Sequence, residues 1–445
     1  MSVSVVIVGS GPAGFYAADA LLRRIEGCRI DIVDRLPTPY GLVRGGVAPD
    51  HQSTKAVQRV FERTATRPGV RFLGGIEVGS RVSYDELKAA YDAVVIAIGA
   101  PRDRRLGIPG ETLPGVCGSW SFVGWLNGHP DFRDLAPDLS GPALAVIGNG
   151  NVAIDCVRVL AKSAAELARS DLCRHAAEAI AAAPLERLHL IGRRGPVEAS
   201  FTPLELAELG ELERCVPLLD GAALERDIAA ADPEQVKVKE KLLAIFRRFA
   251  GNKPGAKPLE LHFLFWSTPL AVLGRERVAG LKLGRTRPAG GAPGAADAAV
   301  ELAVSSVITA IGYATAPFPG LPFDERHGIV RNEGGRVEPG VYVVGWAKRG
   351  PSGTIPTNRA DSMAVAELMA GDLALPHPEK PGPAALDALL AARGIEPVSF
   401  AEWQRIDAAE IARAAPGRPR EKFTRIAEML AAAGHATTPV NREVP

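Results

Sequence analysis

The sequence lacks the paired cysteines from which thiol redox centres and metal sites are built. Its five cysteines lie far apart, and no C-x-x-C pair occurs. This argues against a dithiol centre, a zinc site and an iron–sulfur cluster, so no metal site is expected. The odd number and the wide spacing are typical of a reduced, cytoplasmic chain.

Long apolar runs and an excess of one charge are also missing. No apolar stretch approaches the ~18 residues of a membrane span, and the N-terminus enters a predicted strand without a basic segment or a cleavage signature. The 52 basic and 51 acidic side chains leave a net charge of +1, which gives no reason to expect a nucleic-acid partner. We therefore expect a cytoplasmic protein without a membrane span.

The chain does contain two glycine fingerprints of the kind that binds dinucleotides. The first, GSGPAG at 9–14, follows the apolar run 3–8, and the second, GNGNVA at 148–153, follows the run 143–147. In such a turn the first glycine permits the bend, the second leaves room for a pyrophosphate, and the third lets helix and strand approach. Both motifs predict nucleotide binding. A tight turn used only for packing is the alternative.

The strands that follow the two fingerprints end in opposite charges. Asp34 ends the strand after the first fingerprint, and an acid there suits a ribose diol. Arg193 and Arg194 end the strand after the second, and guanidinium groups there suit a 2′-phosphate. The alternative for the arginine pair is a solvated strand edge. The residues alone do not decide between FAD and NAD at the first fingerprint.

The order of these units indicates an α/β architecture with one dinucleotide unit inserted into another. It resembles the glutathione-reductase-like flavoprotein fold, in which two Rossmann-like domains bind FAD on the outer unit and NAD(P) on the inserted one. The predicted domains are an FAD-binding domain at 1–108 and 313–373, an NADP-binding domain at 109–312, and a helical C-terminal extension at 374–445 packed on the FAD domain.

Several local elements are predicted from periodicity and turn residues. The Pro- and Gly-rich segment 37–49 is a candidate ligand loop, and 287–298 reads as a flexible hairpin tip. A helix that begins near 354–358 would aim its positive end at the flavin. Helices are also predicted over 53–66, 164–183 and 358–369, and a strand over 304–311.

Five motifs in order resemble those of the adrenodoxin-reductase-type ferredoxin–NADP⁺ reductases, most strongly the bacterial ferredoxin/flavodoxin reductase branch. They are PTPYGLVRGGVAPDH (37–51), VIGNGNVAIDCVR (146–158), GRRGP (192–196), FTPLELAEL (201–209) and GWAKRGPSGTIPTN (345–358).

The resemblance, together with the fingerprints, implies the cofactor contacts. For FAD these are Gly9, Gly11, Ala13, Gly14, Asp34, Leu42, Val78, Trp346, Gly353, Thr354 and Ile355. For NADP(H) they are Arg104, Gly148, Asn149, Gly150, Asn151, Val152, Arg193, Arg194, Glu205 and Gly353.

Three polar residues, His51, Asp155 and Glu208, match positions near the flavin and the nicotinamide. We interpret them as modulators, because hydride transfer needs positioning rather than a side-chain acid or base. Each also has an ordinary structural explanation: a hydrogen-bonded histidine, a local salt link and a solvated acidic stripe. Trp346 has core packing as its alternative.

The chain departs from the family pattern at a few positions. Asp34 stands where a glutamate is common, and near the end of the last motif Thr354 replaces the usual apolar residue and Pro356 the usual glycine. The pair Gly45-Gly46 lacks the usual aromatic, which predicts open space near the isoalloxazine.

The resemblance implies transfer of a hydride from NADPH to FAD and of single electrons to ferredoxin or flavodoxin. A diaphorase that reduces quinones or another small acceptor is the first alternative, and a nucleotide-sensing subunit without turnover is the second. Arg44, Lys55, Arg59, Lys348 and Arg349 are candidates for a basic face that docks ferredoxin by transient electrostatic contact. An ordinary solvated surface is the alternative for these charges.

Overall fold

The computed structural model describes residues 3–285, 299–376 and 378–435. The predicted hairpin tip at 287–298 and the end of the chain beyond 435 lie outside the described residues. The strands of the described part are β1 Ser4–Val8, β2 Arg29–Asp34, β3 Val70–Gly74, β4 Ala93–Ile96, β5 Arg102–Asp103, β6 Val116–Gly118, β7 Ala143–Ile147, β8 Arg187–Ile191, β9 Cys215–Leu218, β10 Leu259–Leu264, β11 Ser267–Gly274, β12 Val278–Arg285, β13 Val300–Leu302, β14 Ser306–Thr309, β15 Tyr313–Ala314, β16 Phe323–Asp324, β17 Ile329–Val330, β18 Arg336–Glu338 and β19 Val341–Val343.

The helices of the described part are α1 Pro12–Arg24, α2 Leu42–Gly45, α3 Gln52–Lys55, α4 Gln58–Ala65, α5 Tyr84–Ala90, α6 Ser119–Leu126, α7 Asn151–Ala161, α8 Ala164–Leu167, α9 Arg174–Ala182, α10 Pro203–Glu208, α11 Gly221–Ala230, α12 Pro233–Val238, α13 Glu240–Ala250, α14 Trp346–Arg349, α15 Ile355–Leu373, α16 Pro383–Ala392, α17 Phe400–Ala412 and α18 Ile426–Ala433. Within these residues no helix combines the length and the apolar character needed to span a bilayer.

The first sheet has the order β18-β19-β4-β1-β2-β3. Its strands pair in parallel except β18, which is antiparallel to β19. Every residue of β1 is buried, as expected for a central strand of a parallel sheet. Because β18 and β19 join this sheet from late in the chain, the intervening segment forms an insertion.

The second sheet, β6-β14-β7-β8-β10-β9, is parallel throughout and belongs to the insertion. The antiparallel strands β11–β13 share a small apolar core with it. Two parallel sheets, each following a glycine turn, confirm the predicted pair of Rossmann-like units.

Several predicted elements differ in extent from those observed. The helix predicted at 53–66 is divided into α3 and α4, because the backbone between them tightens: the N–H groups of Val57 and Arg59 donate to carbonyls three residues earlier. The helix predicted at 164–183 is divided into α8 and α9, since Asp171 donates its N–H to the carbonyl of Pro49. The strand predicted at 304–311 is only the short β14. Conversely, α15 extends beyond the predicted 358–369 at both ends.

The C-terminal extension packs on the first sheet. Phe400, Trp403 and Ile406 of α17 and Met429 of α18 share one apolar core with β1 and α1. Leu386 and Leu390 of α16 pack on the opposite side with Leu87. The extension thus covers part of both faces of the first sheet.

Candidate dinucleotide cleft

A cleft of about 960 Å³ lies between the two units, beside both glycine turns. Open α/β sheets bind ligands at this carboxyl edge. The cleft brings together most of the residues predicted from the sequence: Gly9, Gly11, Ala13, Asp34, Leu42, His51, Val78, Asn151, Val152, Asp155, Glu205, Trp346, Gly353, Thr354 and Ile355. The predicted residues outside its lining are Gly14, Arg104, Gly148, Asn149, Gly150, Arg193, Arg194 and Glu208.

The first glycine turn separates packing positions from a ligand position. A Cβ on Gly9 would lie 2.5 Å from the carbonyl oxygen of Ala97, and one on Gly14 would lie 2.2 Å from that of Gly9. A Cβ on Gly11, in contrast, would meet no atom within 4 Å. Since Gly11 also precedes α1 without a side-chain cap, free N–H groups face an open space that suits the pyrophosphate of FAD.

Asp34 lines the cleft at the end of β2 and is held rigidly. Its carboxylate accepts hydrogen bonds from the N–H of Ser10 at 2.9 Å and the hydroxyl of Ser10 at 2.5 Å. The N–H of Leu36 donates to the other oxygen at 3.0 Å. The acid is therefore fixed beside the glycine turn, where a ribose diol would approach it.

The start of α15 forms another wall of the cleft. Thr354 is the N-terminal capping residue, Pro356 lies in the first turn, and Gly353 has a φ of 78°. Proline fits this position because its missing N–H would have no helical partner. Trp346 is half-buried, and its ring lies 5.9 Å from that of Tyr313. The positive end of α15 thus faces the cleft, as the sequence predicts.

The second glycine turn has the same division of roles. A Cβ on Gly148 would lie 2.4 Å from the carbonyl oxygen of Ala310, whereas one on Gly150 would meet nothing closer than 3.9 Å. Asn149 Oδ1 is buried and has no hydrogen-bond partner among the described residues. Open space and an unpartnered acceptor at the start of α7 suit the diphosphate side of NADP(H).

Arg193 and Arg194 are exposed just beyond β8. Within the described ranges, neither guanidinium has an acidic partner at salt-bridge distance, so both can contact a phosphate. Arg104 is used differently: its Nε donates to the carbonyl of Tyr313 at 2.9 Å, where β5 meets β15. Arg104 therefore links the two units near the crossover and lies outside the cleft lining.

A cluster of charged groups surrounds the fully buried Arg158 guanidinium at the inner end of the cleft. Arg158 donates to Asp50 at 2.7 and 3.0 Å, to Asp155 at 2.6 Å and to Glu205 at 3.0 Å. The His51 ring adds contacts to Asp155 at 3.7 Å, Glu205 at 3.3 Å and Glu208 at 3.6 Å. The three predicted modulators thus meet in one cluster.

Burial and charge act in opposite directions on the acids of this cluster. Burial raises the pKa of Asp155 and of Glu205 against the opposing effect of Arg158. Burial is also the largest single effect on Asp50, but the hydrogen bonds and charges of Arg158 and Lys162 together outweigh it and lower the pKa of that carboxyl. Arg158 therefore opposes the effect of burial, which favours the protonated form of these acids.

His51, Glu205 and Glu208 offer ligand atoms within 4.8 Å of one another, a spacing that could hold a metal ion. However, the Arg158 guanidinium lies 3.0 Å from Glu205 and 3.5 Å from Glu208. Both acids therefore already face a cation, and the spacing alone gives no reason to place a metal there.

The sequence patterns do not single out Asp50 or Arg158. Both lie inside family motifs, and Arg158 follows Asp155 by one helical turn, the spacing of side chains on one helix face. Trp120 and His129 of the cleft lining were also missed. No local pattern marks them, because they come from a distant segment.

Two predictions about the loop 37–49 and its surroundings are wrong. The space expected at Gly45-Gly46 is filled, since Cβ atoms there would lie 3.0 Å from His129 and 2.6 Å from Trp120. The expected basic docking face is not assembled either. The ammonium of Lys55 is buried, and ion pairs engage Arg44 with Glu410 and Lys348 with Asp361. Arg349 is only partly exposed, whereas Arg59 is exposed.

Comparisons with known proteins agree with this geometry. Residues 3–191 match the family described as pyridine nucleotide-disulphide oxidoreductase. The chain is 40% identical to the NADPH-ferredoxin reductase FprA of Mycobacterium tuberculosis, over 96% of this chain and 98% of that protein. It is also 40% identical to the human mitochondrial NADPH:adrenodoxin oxidoreductase, over 97% and 92% of the two chains. The structure of M. tuberculosis FprA in complex with NADPH aligns with a TM-score of 0.90 at 38% identity, covering 97% of this chain and all of that one.

Proposed function

The chain belongs to the family of NADPH-dependent ferredoxin and adrenodoxin reductases, and from this premise we propose that it oxidises NADPH and passes the electrons singly to ferredoxin. The observation that carries the proposal is the single cleft beside two glycine turns, one followed by Asp34 and the other by an arginine pair. FAD supplies the chemistry that side chains lack, because it accepts a hydride and returns single electrons.

The residues of the first unit bind and orient FAD. The open space at Gly11 accommodates its pyrophosphate, Asp34 accepts hydrogen bonds from its ribose, and the N-terminus of α15 stabilises negative charge on the reduced flavin. Leu42, Val78, Trp346 and the segment 353–355 shape the rest of this part of the cleft.

The residues of the second unit bind NADP(H). Gly150, Asn151 and Val152 lie at the start of α7, and Arg193 and Arg194 contact the 2′-phosphate, which NADH lacks. The cluster of His51, Asp155, Glu205 and Glu208 would lie beside the place where the nicotinamide and the flavin meet, because three of its members line the cleft. These groups set the polarity of that part of the cleft. They are not needed as acids or bases, because hydride transfer is accelerated by positioning rather than by proton transfer.

A small iron–sulfur protein is the proposed electron acceptor, and flavodoxin is a second acceptor of the same kind. Because the predicted basic face is not assembled, electrostatic docking would depend on Arg59, the exposed residue of that predicted set, and on exposed cations elsewhere on the surface. The described cysteines are all free, which supports a reducing compartment, the cytoplasm, as the site of action.

The proposal is tested by mixing the purified protein with NADPH or with NADH. The protein should be yellow, and NADPH should bleach its flavin absorbance in a stopped-flow instrument much faster than NADH does. A colourless protein would contradict the proposal and favour a nucleotide-sensing role. Rapid reduction followed by turnover with quinones only would favour a diaphorase.

A further inference from the structure

The C-terminal extension reaches the wall of the flavin part of the cleft. Met429 of α18 is one of the lining residues, although it lies far along the chain from every predicted contact. Trp403 of α17 packs edge-on against Tyr40 with the ring centroids 5.8 Å apart. Tyr40 has a φ of 81°, which a side chain other than glycine rarely adopts. The extension therefore supports the strained start of the loop that contains α2.

An ion pair joins this loop to the extension beneath the cleft. Arg44 of α2 lines the cleft and donates to Glu410 of α17 at 2.9 and 2.5 Å, one bond to each carboxylate oxygen. The side chains are 10% and 0% exposed. The guanidinium also lies over the Trp403 ring, 5.0 Å from its centroid. Bidentate pairing and stacking together fix the guanidinium in one orientation.

Glu410 is in turn held by its own surroundings. It accepts the N–H of Phe423 at 2.9 Å, and Arg420 lies 3.6 Å away. The carboxylate therefore cannot follow Arg44 if the loop moves, so it is the fixed partner of the pair.

A second tie connects the other end of the same loop. The side-chain amide of Asn127 donates to the carbonyl of Val47 at 2.9 Å. Its oxygen accepts from Lys422 of the extension at 2.8 Å and from Lys55 at 2.6 Å. The loop segment 42–47 is thus anchored to the extension directly at Arg44, within α2, and through Asn127 at Val47, after α2.

We propose that the C-terminal extension is an integral part of the flavin site and that Glu410 is a positioning residue, which holds Arg44 and the loop 42–47 in the conformation that binds FAD. This inference rests on the proposed function, because it takes FAD as the occupant of the cleft. A buried ion pair adds little to stability compared with apolar residues of similar volume, so a role in positioning explains its presence better than stability does.

The test compares variants of the holoenzyme for FAD release and for folding. Glu410→Gln removes the charge but keeps the shape and an acceptor for the N–H of Phe423. Asp134→Asn is the matched control, since Asp134 pairs with Arg425 of the extension at 2.6 Å on the exposed surface. The double variant Arg44→Met with Glu410→Met replaces the pair by apolar side chains, which buried sites tolerate.

FAD released on dilution is measured by its fluorescence, and folding by thermal unfolding. We expect the Kd for FAD to rise at least tenfold in Glu410→Gln and in the double variant and to stay unchanged in Asp134→Asn. The double variant should unfold near the temperature at which the wild-type protein unfolds. If Glu410→Gln does not fold, the FAD affinity of the double variant alone tests the inference. Wild-type affinity in the double variant would show that the pair is only structural and overturn the inference. If the purified wild-type protein contained no FAD and bound none, the proposed function would be contradicted as well.

Discussion

Replacing Arg158 by leucine is expected to destabilise the protein strongly and in a pH-dependent way. The guanidinium is fully buried and pairs with three carboxylates at 3.0 Å or less. Without it, Asp50 keeps Lys162 at 2.7 Å, and the one ion-pair partner left to Asp155 among the described residues is His51 at 3.7 Å. Removing one partner of a buried ion pair costs about 3–5 kcal/mol, and we expect a loss in this range at pH 8.

The pH dependence follows from the acids left behind. Burial already raises the pKa of Asp155 and of Glu205, and loss of Arg158 raises both further. An acid with a raised folded-state pKa binds its proton more tightly in the folded state, so it destabilises the fold at high pH and less as the pH falls through that pKa. The loss in free energy of unfolding caused by Arg158→Leu should therefore become smaller as the pH is lowered from 8 to 5.

Urea unfolding at the two pH values measures this difference. Arg158→Lys keeps the positive charge but has fewer hydrogen-bond donors, so its free energy of unfolding should fall less than that of Arg158→Leu. Arg247→Leu serves as the surface control, because its pair with Glu225 is about half exposed on both sides and should matter little. A loss of under about 1 kcal/mol, or an equal loss at both pH values, would refute the reasoning, since buried unpaired charges must cost more than this.

Two further predictions concern the cofactors. The double variant Arg193→Ala with Arg194→Ala should raise the KM for NADPH at least about tenfold, because a charge-assisted hydrogen bond contributes about 1.5–3 kcal/mol. The KM for NADH should stay nearly unchanged. Equal increases in both KM values would contradict the assignment of the arginine pair to the 2′-phosphate. Gly11→Ala should fold normally yet bind FAD at least tenfold more weakly, because its Cβ occupies the open space at the turn, whereas Gly371→Ala, which also meets nothing within 4 Å, should bind FAD normally. Retention of full affinity by Gly11→Ala, measured by FAD release, would argue against pyrophosphate at this turn.

The parts of the site that the sequence predicted depend on local geometry. A sharp turn needs glycine at Gly9, and Asp34 ends a strand adjacent to that turn, so motif and structure coincide. The arginine pair at the end of β8 is local in the same sense. Parallel strands buried on both faces also produce recognisable apolar runs, which explains why both sheets could be anticipated.

The parts that the sequence did not predict depend on contacts between distant segments. Arg158 in a helix reads as a solvent-facing cation, and its burial results from Asp50, 108 residues away in the chain. The glycines at 45–46 suggested open space, but the rings of Trp120 and His129 come from another segment to fill it. Lys55 looked like a docking cation for the same reason, because its partner Asp171 lies 116 residues further on.

The most direct test of the proposed function is reduction of cytochrome c by NADPH with and without added ferredoxin. Cytochrome c reports single electrons, so the assay follows the complete path from NADPH through the protein to its partner. We predict slow reduction without ferredoxin and a rate that rises and saturates with ferredoxin concentration, with NADH a poor substitute for NADPH. A rate independent of ferredoxin would contradict the central claim.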